Sequence, residues 1–82
     1  MARAPLRILS PRNGDRYSLP VGADPRFATI GLRATGGDGS EVRWFVDGRA
    51  VAGGRLPLVA GKHRVRAAAG SQSDEVGIEV VP

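Results

Sequence analysis

His63 is the only histidine and Lys62, immediately before it, the only lysine in this 82-residue chain, and cysteine is absent. With a single imidazole, a Ser-His-Asp triad or a His-based metal site would rest on one residue without placed partners. With no thiol there is neither a disulfide framework nor a thiolate metal site. Asp38 and Glu41 lie beside Gly36, Gly37 and Gly39, a composition that suggests a cation loop, but the alternating Asx ligands and distant Glu that calcium needs are missing. A flexible turn accounts for them, and no cofactor or metal is expected. His63 instead opens an alternating segment after a glycine turn, Gly61-Lys62-His63-Arg64-Val65. Its inward parity makes it a structural corner, with a ring nitrogen bonded to a nearby backbone group.

The segment that most constrains the fold is Glu41 to Val51. Val42, Trp44 and Val46 alternate with Arg43, Phe45 and Asp47, and the run then turns at Asp47-Gly48, where both central positions must tolerate positive φ. This is a strand with a buried Trp44 entering a tight hairpin. Upstream, Leu6-Arg7-Ile8-Leu9 is a short strand closed by Ser10-Pro11 and an Asn13-Gly14 turn. Tyr17-Ser18-Leu19 resumes extended chain up to Pro20. Pro11 cannot donate to a ladder, so the first strand breaks there and switches from one sheet to the other. Val21 to Pro25 reads as a loop and Phe27 to Thr35 as the longest strand. Gly36 to Ser40 is a break. A weak strand carries Leu56 and Leu58 around Pro57, and two more run from His63 to Ala69 and from Glu75 to Val81.

Breaks recur every 8 to 12 residues or so and no segment keeps helical periodicity, which is the signature of a sandwich. The expected fold is an all-β, immunoglobulin-like antiparallel β-sandwich of about seven strands, a single module over residues 1–82. Its core is expected to hold Ile8, Ile30, Leu32, Val42, Trp44, Val46, Leu56, Leu58, Val65, Ala67, Val76, Ile78 and Val80. Gly48 and Gly61 serve the turns.

The net charge of +4 comes from eleven Arg and one Lys against eight acids. Five Arg against two Asp fall in residues 1–26, so the surplus is amino-terminal. Nucleic-acid modules gather their bases on one face with interleaved aromatics. Here the bases are scattered among four aromatics, and nucleic acid is not an expected partner. No apolar run approaches a membrane span, and nothing at the start reads as a signal peptide.

If the third, sixth and seventh strands are neighbours, the outer face of one sheet carries Arg43, Phe45, Lys62, Arg64, Arg66, Glu75 and Glu79. A cross-strand charge ladder is one account of that face. The other is a platform, formed by Arg43, Phe45, Arg64 and Arg66, on which a ring and cations meet a glycan, an acidic peptide or a partner protein.

A family resemblance narrows the choice. Ile8-Leu9-Ser10-Pro11-x-Asn13-Gly14-x-x-Tyr17-x-Leu19-Pro20, then Trp44-Phe45-Val46-Asp47-Gly48-Arg49, Gly61-x-His63-x-Val65 and Val76-x-Ile78-x-Val80 together resemble the carboxy-terminal domain of bifunctional penicillin-binding proteins of the 1C type. In these peptidoglycan synthases that domain follows the glycosyltransferase and transpeptidase domains. Where the family often has an Asp-x-x-Gly turn, this chain has Ala67-Ala68-Ala69-Gly70. The resemblance implies a periplasmic module on a parent anchored in the inner membrane, meeting the membrane only through that parent and monomeric as a fragment. Any export signal would lie on the parent. It implies a module that binds peptidoglycan or an envelope protein and does no catalysis itself. The Ser-x-x-Lys nucleophile motif of transpeptidases is absent, since the third residue after Ser10 is Asn13, and Glu41, Glu75 and Glu79 lie on or beside strands, not in a donor cleft. The alternative is a structural spacer or adhesin-type immunoglobulin-like domain of another bacterial surface protein, for which the fold alone would suffice.

Overall fold

The computed structural model describes residues 5–19, 22 and 28–82. Pro20, the Val21 to Pro25 loop and Phe27, the expected start of the longest strand, fall wholly or almost wholly outside the described residues. The described chain is all β: β1 (Arg7–Ser10), β2 (Arg16–Ser18), β3 (Thr29–Gly31), β4 (Arg33–Thr35), β5 (Arg43–Val46), β6 (Arg49–Val51), β7 (Arg55–Pro57), β8 (Gly61–Ala69) and β9 (Gln72–Val81). A five-stranded sheet in the order β2-β9-β8-β5-β6 faces two short ladders, β1-β4 and β3-β7.

The β8-β9 hairpin is the spine. Nine residue pairs run in unbroken register from Gly61↔Val80 to Ala69↔Gln72. Alternation does the sorting: Val65, Ala67 and Ala69 of β8 and Val76, Ile78 and Val80 of β9 point inward and are buried, while Lys62, Arg64 and Arg66 are exposed. The hairpin turns at Gly70, with φ 60°. A Cβ there would meet Asp38 Oδ2 at 2.7 Å, so any other residue would have to displace the Asp38 carboxylate as well as hold a positive φ.

Nine strands replace the expected seven because two continuous-looking runs are each divided between partners. Arg7–Ser10 pairs with β4, whereas Arg16–Ser18 pairs with β9. The expected change of sheet after the proline therefore occurs, and Pro11 itself is almost fully buried behind a cis Ser10–Pro11 bond. The second run splits at Leu32. Its N–H donates to Gly54 O at 2.8 Å, which hands β3 to β7 and β4 to β1. The sandwich is also not wholly antiparallel, because β2 runs parallel to β9.

The core differs from expectation in degree. Leu6, Ile8, Leu32, Leu56, Val65, Ala67, Ala69, Val76 and Ile78 form one buried cluster. Leu6 and Ala69 join it without having been anticipated. Trp44, expected to be buried, is half-buried and packs against the cluster's side, as do Ile30, Val42 and Val46. The reason is position: β5 is next to last in the sheet, and Trp44 pairs with Ala67 on one side and with Val51 of the edge strand on the other.

Side chains bind the short ladders to the long sheet. Leu6 N–H donates to Gln72 Oε1 and Ile8 N–H to Asp74 Oδ2, both at 2.8 Å. Ser10 Oγ–H donates to Gly31 O at 3.1 Å. The first two satisfy donors on the free edge of β1 that would otherwise invite another strand.

Candidate binding face

Strands β5, β8 and β9 lie side by side, so their outward residues share one surface. Phe45 sits directly across from Arg66, and Arg43 is two residues along the same strand, across from Ala68. Beyond Arg66 comes Glu75. The ring is half-buried while the three arginines Arg43, Arg64 and Arg66 are exposed. The four residues expected to form a platform are therefore brought onto one face.

Their charges are not equivalent. Arg64 Nη1 is 2.5 Å from Glu75 Oε1, and Arg16 Nη2, arriving on β2, is 3.0 Å from Glu79 Oε1. Arg43, Arg66 and Lys62 form no ion pair with any described residue. The ladder and the platform thus coexist: two acids are matched by two arginines, and three cations remain unclaimed.

The end of this face is fixed by the Asp47-Gly48 turn, where φ is 51° and 84°, the two positive values a tight primed turn requires. Asp47 Oδ1 accepts from Arg64 N–H at 2.9 Å, and its Oδ2 is 2.7 Å from His63 Nδ1. His63 Nε2 is 2.6 Å from Val59 O. Both ring nitrogens thus face acceptors, an arrangement that only the doubly protonated imidazolium satisfies. The bond to Asp47 raises the His63 pKa, with a smaller contribution from Val59 O, while burial opposes it. The same bond, followed by that from Arg64 N–H, lowers the Asp47 pKa. The pair lies at a turn, with no nucleophile among the described residues bonded to the ring, and its geometry is that of a strut. Gly61, two residues ahead of His63, adopts φ 125°, a conformation that favours glycine.

Sequence reasoning read Asn13 and Gly14 only as a turn. In the fold that turn is pinned to β9: Gly14 N–H donates to Gly77 O and Gly77 N–H to Asn13 Oδ1, each at 2.8 Å. Asp15 O accepts from Glu79 N–H at 3.0 Å. Asp15 Oδ2 accepts from Arg12 N–H at 2.9 Å and from the Tyr17 hydroxyl at 3.2 Å. Burial, then Asp15, raises the Tyr17 pKa. The turn forms a wall beside the sheet, closing a trough of about 590 Å³ over Gly77. A glycine at an outward position in an otherwise charged strand face was the signal that could have drawn attention to it.

The family model of the Penicillin-Binding Protein C-terminus family matches residues 1–78. The chain belongs to that family. Comparison with curated proteins and with solved structures gives no match. Membership fits the order of the sequence blocks, from the Ser10-Pro11-x-Asn13-Gly14 turn to the Gly61-x-His63 corner. The fold also gives those family-like residues physical tasks: Asn13 and Gly14 fasten the first turn to β9, and Asp47 with His63 locks the hairpin to β8.

Proposed function

We propose that this chain is one non-catalytic module at the carboxy terminus of a bifunctional peptidoglycan synthase of the 1C type. Its parent is a glycosyltransferase and transpeptidase held in the inner membrane, with the module in the periplasm. There it binds peptidoglycan or an envelope protein that works beside the synthase. The reading is supported by family membership, and one observation carries the binding part: Phe45 lies directly across from Arg66, near Arg43, and neither cation is claimed by an acid of the described chain. A fold that needed only a charge ladder would match its cations, as Arg64–Glu75 and Arg16–Glu79 do. An aromatic ring beside unmatched guanidinium groups offers both a stacking surface and charge.

The test is a titration of the chain with soluble peptidoglycan fragments and with purified envelope proteins, followed by backbone amide shifts. Perturbations should centre on Arg43, Phe45 and Arg66. Replacing Arg43 and Arg66 together by Gln should weaken binding severalfold without unfolding the domain, since surface changes move stability by no more than about 0.5 kcal/mol. Shifts centred on Thr29, Gly31 and Arg33 of the opposite ladders, or no shifts at all, would remove this face as the site. A titration in which neither substitution matters would favour the spacer reading.

A further inference from the structure

The fold sorts by side the arginines that look scattered in sequence. The strands of the two ladders carry Arg7 on β1, Arg33 on β4 and Arg55 on β7, and not one Asp, Glu or aromatic residue. In the run from Thr29 to Thr35 the odd-numbered residues point outward, because Leu32 is buried and Ile30 packs on the core. Arg55 stands across from Gly31 of that run and Arg7 across from Thr35, while their neighbours Leu56 and Ile8 are buried. The three exposed arginines therefore leave from one surface, on the side of the sandwich opposite the Phe45 platform.

None of the three forms an ion pair with any described residue. Arg55 Nε donates to Thr29 Oγ1 at 2.8 Å, a neutral acceptor on the same face, which lays the guanidinium along the ladder without discharging it. Two acids border the ladders, and both are engaged from the side of the long sheet. Asp74 reaches the edge of β1 to accept from Ile8 N–H and also takes Glu75 N–H, and Asp38, in the loop after β4, accepts from Ser40 N–H and lies against Gly70. Both stand at the Arg7 end, so they offset Arg7 most and Arg33 and Arg55 least.

Leu9 is the second feature of this face. The β1-β4 register shifts between Ile8 and Ser10, a bulge of the kind that re-aims a side chain, and Leu9 within it is 52 % exposed. Ile8 and Pro11 fill the interior on either side of it. A leucine held out beside Arg7 and Arg33 adds nothing to the core, and its transfer out of water elsewhere is favourable.

The partner follows from what the face has and lacks. Without an aromatic ring it stacks neither bases nor sugar faces, and its arginines are spread along the ladders, not gathered around one small anion. An acidic protein patch would match the arginines but would set charge against Leu9. A membrane with anionic headgroups meets every condition: phosphates stand at any register beneath spread guanidinium groups, which pair with them well, and the boundary of the acyl chains takes an exposed leucine.

We infer that the ladder face docks on an anionic lipid surface, with Arg33, Arg55 and to a lesser degree Arg7 on the headgroups and Leu9 dipping between them. This replaces the expectation that the module meets the membrane only through its parent. A module lying on this face presents the Phe45 platform away from the bilayer. A basic residue at such a surface gains about fivefold in affinity, so the isolated chain is held loosely, with half-binding at about a millimolar lipid. That is enough for a domain tethered beside the bilayer.

The experiment sediments the chain with vesicles of phosphatidylcholine alone and of equal parts phosphatidylcholine and phosphatidylglycerol. Binding should occur only with the anionic vesicles and weaken as salt is raised. Arg33→Gln combined with Arg55→Gln should weaken it about twentyfold, and Leu9→Ser severalfold, with the folded spectrum and melting temperature kept. Lys62→Gln combined with Arg66→Gln removes the same charge from the other sheet and should change binding by less than about threefold. In anionic bicelles, a nitroxide-labelled lipid should broaden the amides of Leu9, Gly31 and Arg33 of the unaltered chain ahead of those of Arg64 and Gly77. Because no peptidoglycan is present, this face and the platform can fail separately. Equal losses in the two double variants, Leu9→Ser without effect, broadening centred on β8 and β9, no sedimentation at about 10 mM anionic lipid, or tighter binding to polyglutamate than to the vesicles, the mark of an acidic protein partner, would each overturn the inference.

Discussion

The five-stranded sheet and the two short ladders opposite it are held together by different means. In the sheet, β8 and β9 share nine consecutive residue pairs, and backbone hydrogen bonds with strict alternation do most of the structural work. The ladders contain strands of three or four residues and depend on contacts from elsewhere: Leu56 in the core, Gln72 and Asp74 reaching across to β1, and Gly54 O receiving Leu32 N–H. The lesson is that a long register frees side chains on one face from structural duty, while a broken one conscripts them. Unmatched cations occur on both, however: Arg43, Lys62 and Arg66 on the outer face of the long sheet and Arg7 and Arg33 on the ladders form no ion pair with any described residue.

The largest expected effect that tests this contrast is in the ladders. Leu56 is 5 % exposed and pairs with Ile30; Leu56→Ala should cost about 3 kcal/mol in urea unfolding, from lost transfer energy and the cavity left behind. A loss under about 1 kcal/mol would mean the ladders contribute little to the core. Next is Asp74→Ala, which strips the acceptor from Ile8 N–H and Glu75 N–H. Leaving a part-buried donor on β1 unpaired should cost about 2 kcal/mol and accelerate amide exchange at Ile8 more than at Val65. By contrast Glu75→Gln, which breaks the exposed pair with Arg64, should change stability by less than about 0.5 kcal/mol. A Glu75 effect as large as that of Asp74 would erase the distinction between the two regions.

The smallest effect concerns pH. His63 has a raised pKa, so its contribution is fully present below the ordinary histidine value of about 6.5 and is lost as pH rises through the raised one. Asp47 has a lowered pKa, so its contribution is present above the ordinary carboxylate value and is lost as pH falls through the lowered one. Asp47→Asn keeps a residue suited to positive φ while removing the charge. The original chain should be more stable than this variant in mildly acidic solution, and the difference should shrink as pH rises through the raised His63 pKa. A difference that grows with pH would contradict the imidazolium assignment.

The part of the fold that was legible in the sequence is the part built on local alternation. The Asp47-Gly48 hairpin and the inward parity of Val65 and Ala67 follow from period-two patterning and turn chemistry, whereas the adjacency of β5, β8 and β9 entered only as a condition set by the sandwich architecture, which the fold then meets. The division at Leu32 was not legible, because a distant carbonyl on Gly54 decides it. Nor was the half-exposure of Trp44, which depends on where the sheet ends. On the candidate face, parity identified the outward residues, but which arginine meets an acid depends on register between strands, so Arg64 and Arg66 look alike in sequence and differ in the fold. The Asn13–Gly77 bond joins residues 64 apart, and no local pattern announces it.

The parallel run of β2 beside β9 also sets how the domain meets a mechanical load. Tension drawn along the chain from the beginning of β2 and the end of β9 pulls two parallel strands from opposite ends, in shear. Gly14 N–H to Gly77 O, Asp15 O to Glu79 N–H and Leu19 N–H to Val81 O are then strained together, where an antiparallel hairpin opened from its free ends would yield one bond at a time.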